Sequence, residues 1–223
     1  MKNPGIFAAC KPKGLSSNQF LEKLRQAANV RKIGHAGTLD PLASGILVIG
    51  AGRKATKKLP EITAKEKEYL ATVRLGAVSL TDDAEGPIKK SANYKIPNRE
   101  KVKTAVEKFK GKIKQVPPQY SAVKIKGKEA YKHARQGRYL SISPRQVEIK
   151  NIKITSYRWP SLRLKATTGP GVYIRALARD IGNELKTGAY LEKLERTRVG
   201  SFDKNSAISF KRAVKLCRKY ANG

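Results

Sequence analysis

Sulfur and imidazole are scarce in this chain. Its 223 residues include two cysteines, Cys10 and Cys217, and two histidines, His35 and His133. Such a pair of cysteines makes neither a disulfide framework nor a zinc-ligand spacing. Two histidines without clustered carboxylates offer no catalytic metal centre, so no metal is expected. No stretch of about 18 apolar residues occurs, and no membrane span is expected. The apolar run in the opening MKNPGIFAACKPKG is too short for the core of a signal peptide. Acids are the other shortage: 17 Asp and Glu stand against 48 Lys and Arg, a net charge of +31. An excess of that size repels itself in the folded state and attracts polyanions. The chain is nevertheless 39% hydrophobic, which suits a packed fold and not a disordered basic tail. A cytosolic, metal-free protein with a nucleic acid as partner is expected.

Along the chain, GIFAA (residues 5–9) reads as a short buried strand. Ser16 or Ser17 then offers an N-cap for a helix with Phe20, Leu21, Leu24 and Ala28 inward. ILVIG (46–50) is a β-branched buried strand, and ATKKLP reads as a short helix ended by Pro60. In KEYLATVRL the residues Tyr69, Ala71, Val73 and Leu75 share one strand face. TDDAEG (81–86) is turn-rich. Asn98 caps a helix with Val102, Ala105, Val106 and Phe109 inward, closed by Gly111. Residues 112–145 change character, with Pro117–Pro118, a basic strand SAVKIKG and a small helix KEAYKHARQG; they read as an excursion from the core. Strands over 147–157 and 162–168 follow. GVYIRALARDIGNELKTG is amphipathic, with Ile174, Leu177, Ala178, Ile181 and Leu185 inward. Ser209 caps a last helix with Phe210, Ala213, Val214 and Cys217 inward. No regular βαβ rhythm appears, so the expectation is one α+β domain over residues 1–223 with a largely antiparallel sheet.

The block GHAGTLDPLASG (34–45) carries an anomaly. Up to Lys58 the chain holds eleven Lys or Arg and only two acids, Glu22 and Asp40. Glu22 sits on a helix beside Lys23 and Arg25, an ordinary solvated position. Asp40 precedes Pro41, which pushes its backbone toward extended geometry. Gly34, Gly37 and Gly45 permit sharp turns and close approach. Asp-Pro is also a common turn starter. The glycines do not form G-x-G-x-x-G, and no G-K-[ST] follows, which argues against a nucleotide phosphate loop. A hydrolytic glycosidase needs two carboxylates, and no second one is near in sequence. What remains is a single carboxylate presented to an anionic polymer, able to attack or deprotonate a nucleoside while the cations hold phosphates.

The segments KPKGLSSN (11–18), GHAGTLDPLASGIL (34–47), ATKKL (55–59), KEYLATVRLG (67–76), PPQYSAVKIKGKEAYKHARQG (117–137), GPGVYIRALARDIG (169–182) and LEKLERTRVGSF (191–202) occur in that order. Together they resemble the TruB family of bacterial tRNA pseudouridine synthases over nearly the whole chain. The G-H-x-G-T-L-D-P block together with V-Y-I-R is the most specific part.

The resemblance implies the pseudouridine synthase fold: a mixed, mostly antiparallel central sheet flanked by helices, with residues 112–145 as a thumb-like insertion that clasps the T-arm of tRNA. It implies that Asp40 is the catalytic residue and that the T-loop uridine (position 55 of tRNA) is the substrate. Uracil is detached from C1′, turned over and rejoined through C5. Because the base is not released, one carboxylate suffices and no cofactor is needed. Attack on C1′ and removal of the 2′ proton both stay open. Tyr69 matches the tyrosine that stacks on the target base, although a strand-face tyrosine also suits a core. Arg175 resembles the arginine that pairs with the catalytic aspartate, and Asp83 the acid that orients that arginine. Tyr173 and Leu194 resemble further pocket walls, and His35 the histidine that props the T-loop. Lys57, Lys124, Lys126, Lys128, Lys132, Arg135 and Arg138 are candidate phosphate contacts. Two features depart from the family pattern. Cys10 stands where an acid usually precedes KP, and the usual small C-terminal RNA-binding module is not expected. Residues 204–223 instead carry six Lys or Arg and no acid, as a basic C-terminal helix. A monomer is expected. The alternatives are the same chemistry on another structured RNA, or a basic RNA-binding or tRNA-folding protein without turnover.

Overall fold

The computed structural model describes residues 4–125 and 127–221; Lys126, one of the candidate phosphate contacts, lies outside them. In chain order the elements begin β1 (Ile6–Lys11), α1 (Ser17–Ala28), β2 (Ile33–Ala36), β3 (Ala43–Ala51), α2 (Arg53–Thr56), α3 (Leu59–Thr63) and β4 (Lys67–Leu75). They continue with β5 (Ala77–Ser79), β6 (Ile88–Lys90), α4 (Arg99–Glu107), β7 (Gly111–Gln115), β8 (Lys124–Ile125), β9 (Lys128–Glu129) and α5 (Ala130–Ala134). The last are β10 (Arg145–Arg158), β11 (Ser161–Thr168), α6 (Ile174–Glu184), β12 (Ala189–Val199), β13 (Phe202–Asp203), β14 (Ala207–Ile208) and α7 (Phe210–Ala221). The class is α+β with a mixed sheet. The chain forms two compact units, Met1–Leu70 with Leu194–Gly223, and Ala71–Lys193.

In the first unit the strand order is β14-β1-β3-β12, with β2 also on β3 and β13 on β12. β1 is antiparallel to β3, whereas β14 runs parallel to β1 and β12 parallel to β3. The unbroken apolar run of β3 follows from burial on both faces. Leu47 and Ile49 join Phe7 and Ala9 against Leu21 and Leu24 of α1 and Ala213 and Cys217 of α7. Ile46 and Val48 join Ile6 and Ala8 on the other face, against Ala55, Leu59 and Ile62. Each such aliphatic side chain contributes about 1.5–3 kcal/mol by leaving water. Burial pushes the Cys217 thiol up to about 11, so it acts as a small core hydrophobe.

Local chemistry explains the element ends. Ser16 is the N-cap of α1 in a full capping box with Gln19, which frees Ser17 for another use. Asn98 caps α4 by accepting from the Lys101 amide at 2.9 Å. Pro60 does not end a helix as its sequence suggested. It lies in the first turn of α3, where a missing N–H is harmless, and the expected single helix is split into α2 and α3. Phe210 is not inward: it is 41% exposed and meets the Phe20 ring edge-on at 5.9 Å.

In the second unit the order is β4-β11-β10-β7, with β10 antiparallel to both β11 and β7. Its core gathers Val102 and Val106 of α4, Ile149, Ile152, Leu162 and Leu164 of the strands, and Leu177 and Ile181 of α6. Within residues 112–145 a separate small cluster forms. Val123, Ala130 and Ile142 are buried there, with Ile125 and Tyr173 packed against them. Lys124, Lys128, Lys132, Arg135 and Arg138 are exposed. Among the described residues, no helix is long and apolar enough to cross a membrane.

Candidate active site

Asp40 sits on the loop between β2 and β3, and that loop is tied down on both sides of it. Leu39 donates its amide to Ser17 Oγ at 2.7 Å, and the Ser17 hydroxyl donates to the Leu39 carbonyl at 3.0 Å. The Pro41 carbonyl accepts from the Gly14 amide at 2.8 Å, and the Asp40 carbonyl from Ala43 at 3.1 Å. Gly37 has φ +77° and Gly45 φ +105°, conformations that favour glycine, whereas Gly34 lies within β2 and makes no turn. A Cβ on Gly45 would lie 2.2 Å from the Arg196 carbonyl oxygen. Gly45 therefore lets β12 approach β3 in the register that opposes it to Arg196. Asp40 itself is half-buried.

Arg196 is 1% exposed and organises this half of the site. Its Nε donates to the Ile46 carbonyl at 2.8 Å, Nη2 to Gly37 at 2.9 Å and Nη1 to Thr38 at 3.4 Å. The guanidinium also lies within electrostatic reach of the Tyr69 phenol and the Asp40 carboxylate. Tyr69, on β4, is 7% exposed. Burial pushes its phenol pKa up; Arg196 opposes the shift and the negative Asp40 adds to it. The phenol accordingly keeps its proton at neutral pH. Lys67, two residues earlier, donates Nζ to the Thr63 and Lys65 carbonyls at 2.6 and 2.7 Å. Burial, then the nearby Arg196 charge, lowers its pKa to about 8. Leu194 is buried on β12, opposite Ala43. His35 lies on β2 opposite Ile49, and its Nδ1 is buried without a hydrogen-bond partner. Burial, then Arg196 and Arg25, lower its pKa, so the ring is neutral. Lys57 is exposed at the end of α2.

The second unit builds its own cluster at the start of α6. Arg175 is 5% exposed, with Nε 3.7 Å from Asp83 Oδ2. Its Nη1 donates to the Thr81 carbonyl at 3.1 Å and Nη2 to Tyr120 at 2.9 Å. Asp83 is 2% exposed, and its Oδ1 accepts from the Thr81 hydroxyl at 2.6 Å and the Glu85 amide at 3.0 Å. One turn further, Arg179 donates to Asp82 and Asp180, each at 2.9 Å, and to the Val116 carbonyl at 2.8 Å. Burial raises the Asp82 pKa against the pull of Arg179. The backbone of Tyr173 is clipped by Gln115, which accepts from its amide at 2.9 Å and donates to its carbonyl at 3.2 Å.

The structure thus gathers Asp40, Tyr69 and Leu194 around Arg196 in one unit, and Asp83, Arg175 and Tyr173 in the other. Sequence reasoning missed Arg196, Lys67, Arg179, Gln115 and the anchoring role of Ser17. A signal existed for Arg196. Leu194 and Arg196 are two apart on one strand, so an arginine occupies the face of a buried leucine. Among the described residues, no group of His, Cys, Asp and Glu could hold a metal ion. The first-unit cluster can offer a fixed carboxylate beside a protonated phenol and a buried guanidinium, a set suited to proton and bond rearrangement at a nucleoside.

Residues 25–174 match the model of the TruB family pseudouridylate synthase N-terminal domain, and residues 175–222 that of the tRNA pseudouridylate synthase B C-terminal domain. The chain is 41% identical over 210 residues to tRNA pseudouridine synthase B of Mycobacterium tuberculosis strain H37Rv, covering 92% of this chain and 70% of the relative. It is 43% identical over 212 residues to the Streptomyces coelicolor enzyme of the same name, covering 91% and 70%. Among solved structures, the fold resembles a chain of a Cbf5-Nop10-Gar1 complex, with TM-score 0.73 and 25% identity over 97% of this chain and 59% of that one. It also resembles a chain of an H/ACA RNP bound to a substrate RNA containing 2′-deoxyuridine, with TM-score 0.70 and 24% identity over 95% and 53%. The chain therefore spans between half and three fifths of these solved chains. The ordered motifs, the sheet and the matched models agree: the chain belongs to the TruB family of pseudouridylate synthases.

Proposed function

We propose that this protein isomerises uridine to pseudouridine in tRNA, at the T-loop uridine (position 55), with Asp40 as the catalytic residue. The observation that carries the reading is the placement of Asp40: one half-exposed carboxylate on a loop fixed at both flanks, beside a buried phenol and guanidinium. Isomerisation breaks the bond between C1′ and N1, forms one between C1′ and C5, and moves the C5 proton to N1. No water is consumed, so a second carboxylate is not required. Asp40 acts at the ribose. The face of Tyr69 stacks on the uracil, because every base has a π-face, and its protonated hydroxyl relays the proton leaving C5. Arg175, held by Asp83, takes the family arginine's role. Tyr173 and Leu194 each take the role of the family residue they match, and neutral His35 supports the loop from which the base has been extruded. Lys57 and the exposed cations of residues 112–145 hold phosphates, which position the RNA without reading its sequence. A monomer in the cytoplasm, clasping the T-arm with residues 112–145, completes the reading.

The test is pseudouridine mapping in an unmodified tRNA transcript after incubation with wild type and with Asp40→Asn. Wild type should modify the T-loop uridine. Asp40→Asn should lose activity to below a few per cent while tRNA affinity stays within about threefold, since phosphate contacts supply most of it. Substantial turnover by Asp40→Asn would remove the carboxylate from the chemistry. Modification only of other structured RNAs would replace the substrate.

A further inference from the structure

Arginine is seldom fully buried, and a buried charge persists only where it is well hydrogen-bonded. Arg196 is the largest fully buried side chain of the described residues. Its partners are not scattered. Gly37 and Thr38 precede Asp40 and Ile46 follows it, so one planar group holds the carbonyls at both ends of the loop. The same group lies within electrostatic reach of the Tyr69 phenol on a different strand. The space is tight: a Cβ on Gly37 would lie 3.3 Å from Arg196 Nη1 and 3.5 Å from Lys67 Cε. Two cations are thus packed beneath one glycine, three residues before Asp40.

We propose that Arg196 is a positioning residue for the reaction: it fixes the Asp40 carboxylate and the Tyr69 hydroxyl relative to one another. It does so by clamping both ends of the loop with a single rigid fork that lies beside the phenol. This inference rests on the reading of Asp40 as the catalytic residue. A lysine cannot substitute, because a point ammonium on a flexible stem reaches one or two of these acceptors but cannot span them in a plane. Small misplacements matter here, since an error of about 1 Å in a reacting group can cost about a hundredfold in rate.

The experiment uses the full chain with Arg196→Lys. Four quantities are measured: single-turnover pseudouridine formation at saturating enzyme, tRNA Kd, the denaturation midpoint, and backbone amide exchange. The single-turnover rate should fall roughly 30- to 100-fold. Kd should stay within about threefold, and faster exchange should be confined to residues 37–46. A wild-type rate would overturn the proposal. So would a Kd loss matching the rate loss, which would make Arg196 a binding residue, or a rate that merely follows the unfolded fraction. Gly37→Ala keeps Arg196 but presses a methyl group on its guanidinium, and it should give the same split between rate and Kd. It decides the matter if Arg196→Lys does not fold. Combining Arg196→Lys with Tyr69→Phe should cost little more than the worse single change; independent, multiplying losses would deny the shared role. If the wild type leaves tRNA unmodified, the functional reading fails, and exchange over residues 37–46 still decides whether the clamp exists.

Discussion

Arg175 and Arg196 are both buried, one in each unit, and they are held by different means. Arg175 has a carboxylate, Asp83, at 3.7 Å and two carbonyls. Arg196 donates to three carbonyls and is attracted by the Asp40 carboxylate. A carboxylate answers charge with charge. Carbonyls satisfy N–H groups but leave the net charge to act on whatever is near. The field of Arg196 is visible in its neighbours: it lowers the pKa values of His35 and Lys67 and is felt by Tyr69. The comparison teaches that a buried arginine can serve as a fastener or as a source of field, and that the partner's charge decides which.

The largest expected effect tests the fastener. Asp83→Ala removes the carboxylate beside Arg175 and should destabilise the protein by about 3–5 kcal/mol in chemical denaturation. A loss below about 1 kcal/mol would mean that the carbonyls alone hold Arg175. The next tests burial and field together. Lys67 has its folded pKa lowered to about 8 from 10.5. Between those values the unfolded chain binds more protons, so this group's contribution to stability improves as pH rises through that window. Wild type should therefore gain on Lys67→Met by roughly 1–3 kcal/mol between pH 7 and pH 10.5. A pH-independent difference would show that neither burial nor the Arg196 charge shifts Lys67. The smallest effect lies at the surface, where a cation has neither carboxylate nor cage. Lys215→Gln with Lys219→Gln on the exposed face of α7 should leave stability within about 0.5 kcal/mol. If both lysines touch phosphates, the slope of log affinity against log salt should flatten by about 0.7–0.9 per contact. An unchanged slope would assign that face to solvent.

Much of this arrangement was legible in the sequence because it is local. Alternation gave β4, a serine N-cap followed by apolar residues at helical spacing gave α1, and the apolar run of ILVIG gave β3. The glycines and the Asp-Pro step marked the loop of Asp40. What was not legible depends on partners distant in the chain. Arg196 looks like one more cation in LERTRVG until β12 is laid parallel to β3 and its side chain meets carbonyls 150 residues away. Ser17 looks like a second cap candidate until Leu39 takes both its bonds. Pro60 misled because the same ring that breaks a helix interior also suits a helix start. Phe210 misled because a helix end can leave an aromatic half in solvent while its edge packs on Phe20.

The long separation between Arg196 and Ile46 has a consequence for synthesis. The first unit is discontinuous, and its early segment waits for residues from Leu194 onward. About 120 residues must be made in between. At roughly 5–20 residues per second that interval lasts several seconds to tens of seconds. During it, β3 lacks its parallel neighbour and the Asp40 loop lacks its clamp. Parallel pairing across such a span is entropically slow. The Asp40 loop is therefore set in its final geometry only after Arg196 has left the ribosome. A nascent chain surrounded by ribosomal RNA therefore carries much positive charge before that loop is clamped.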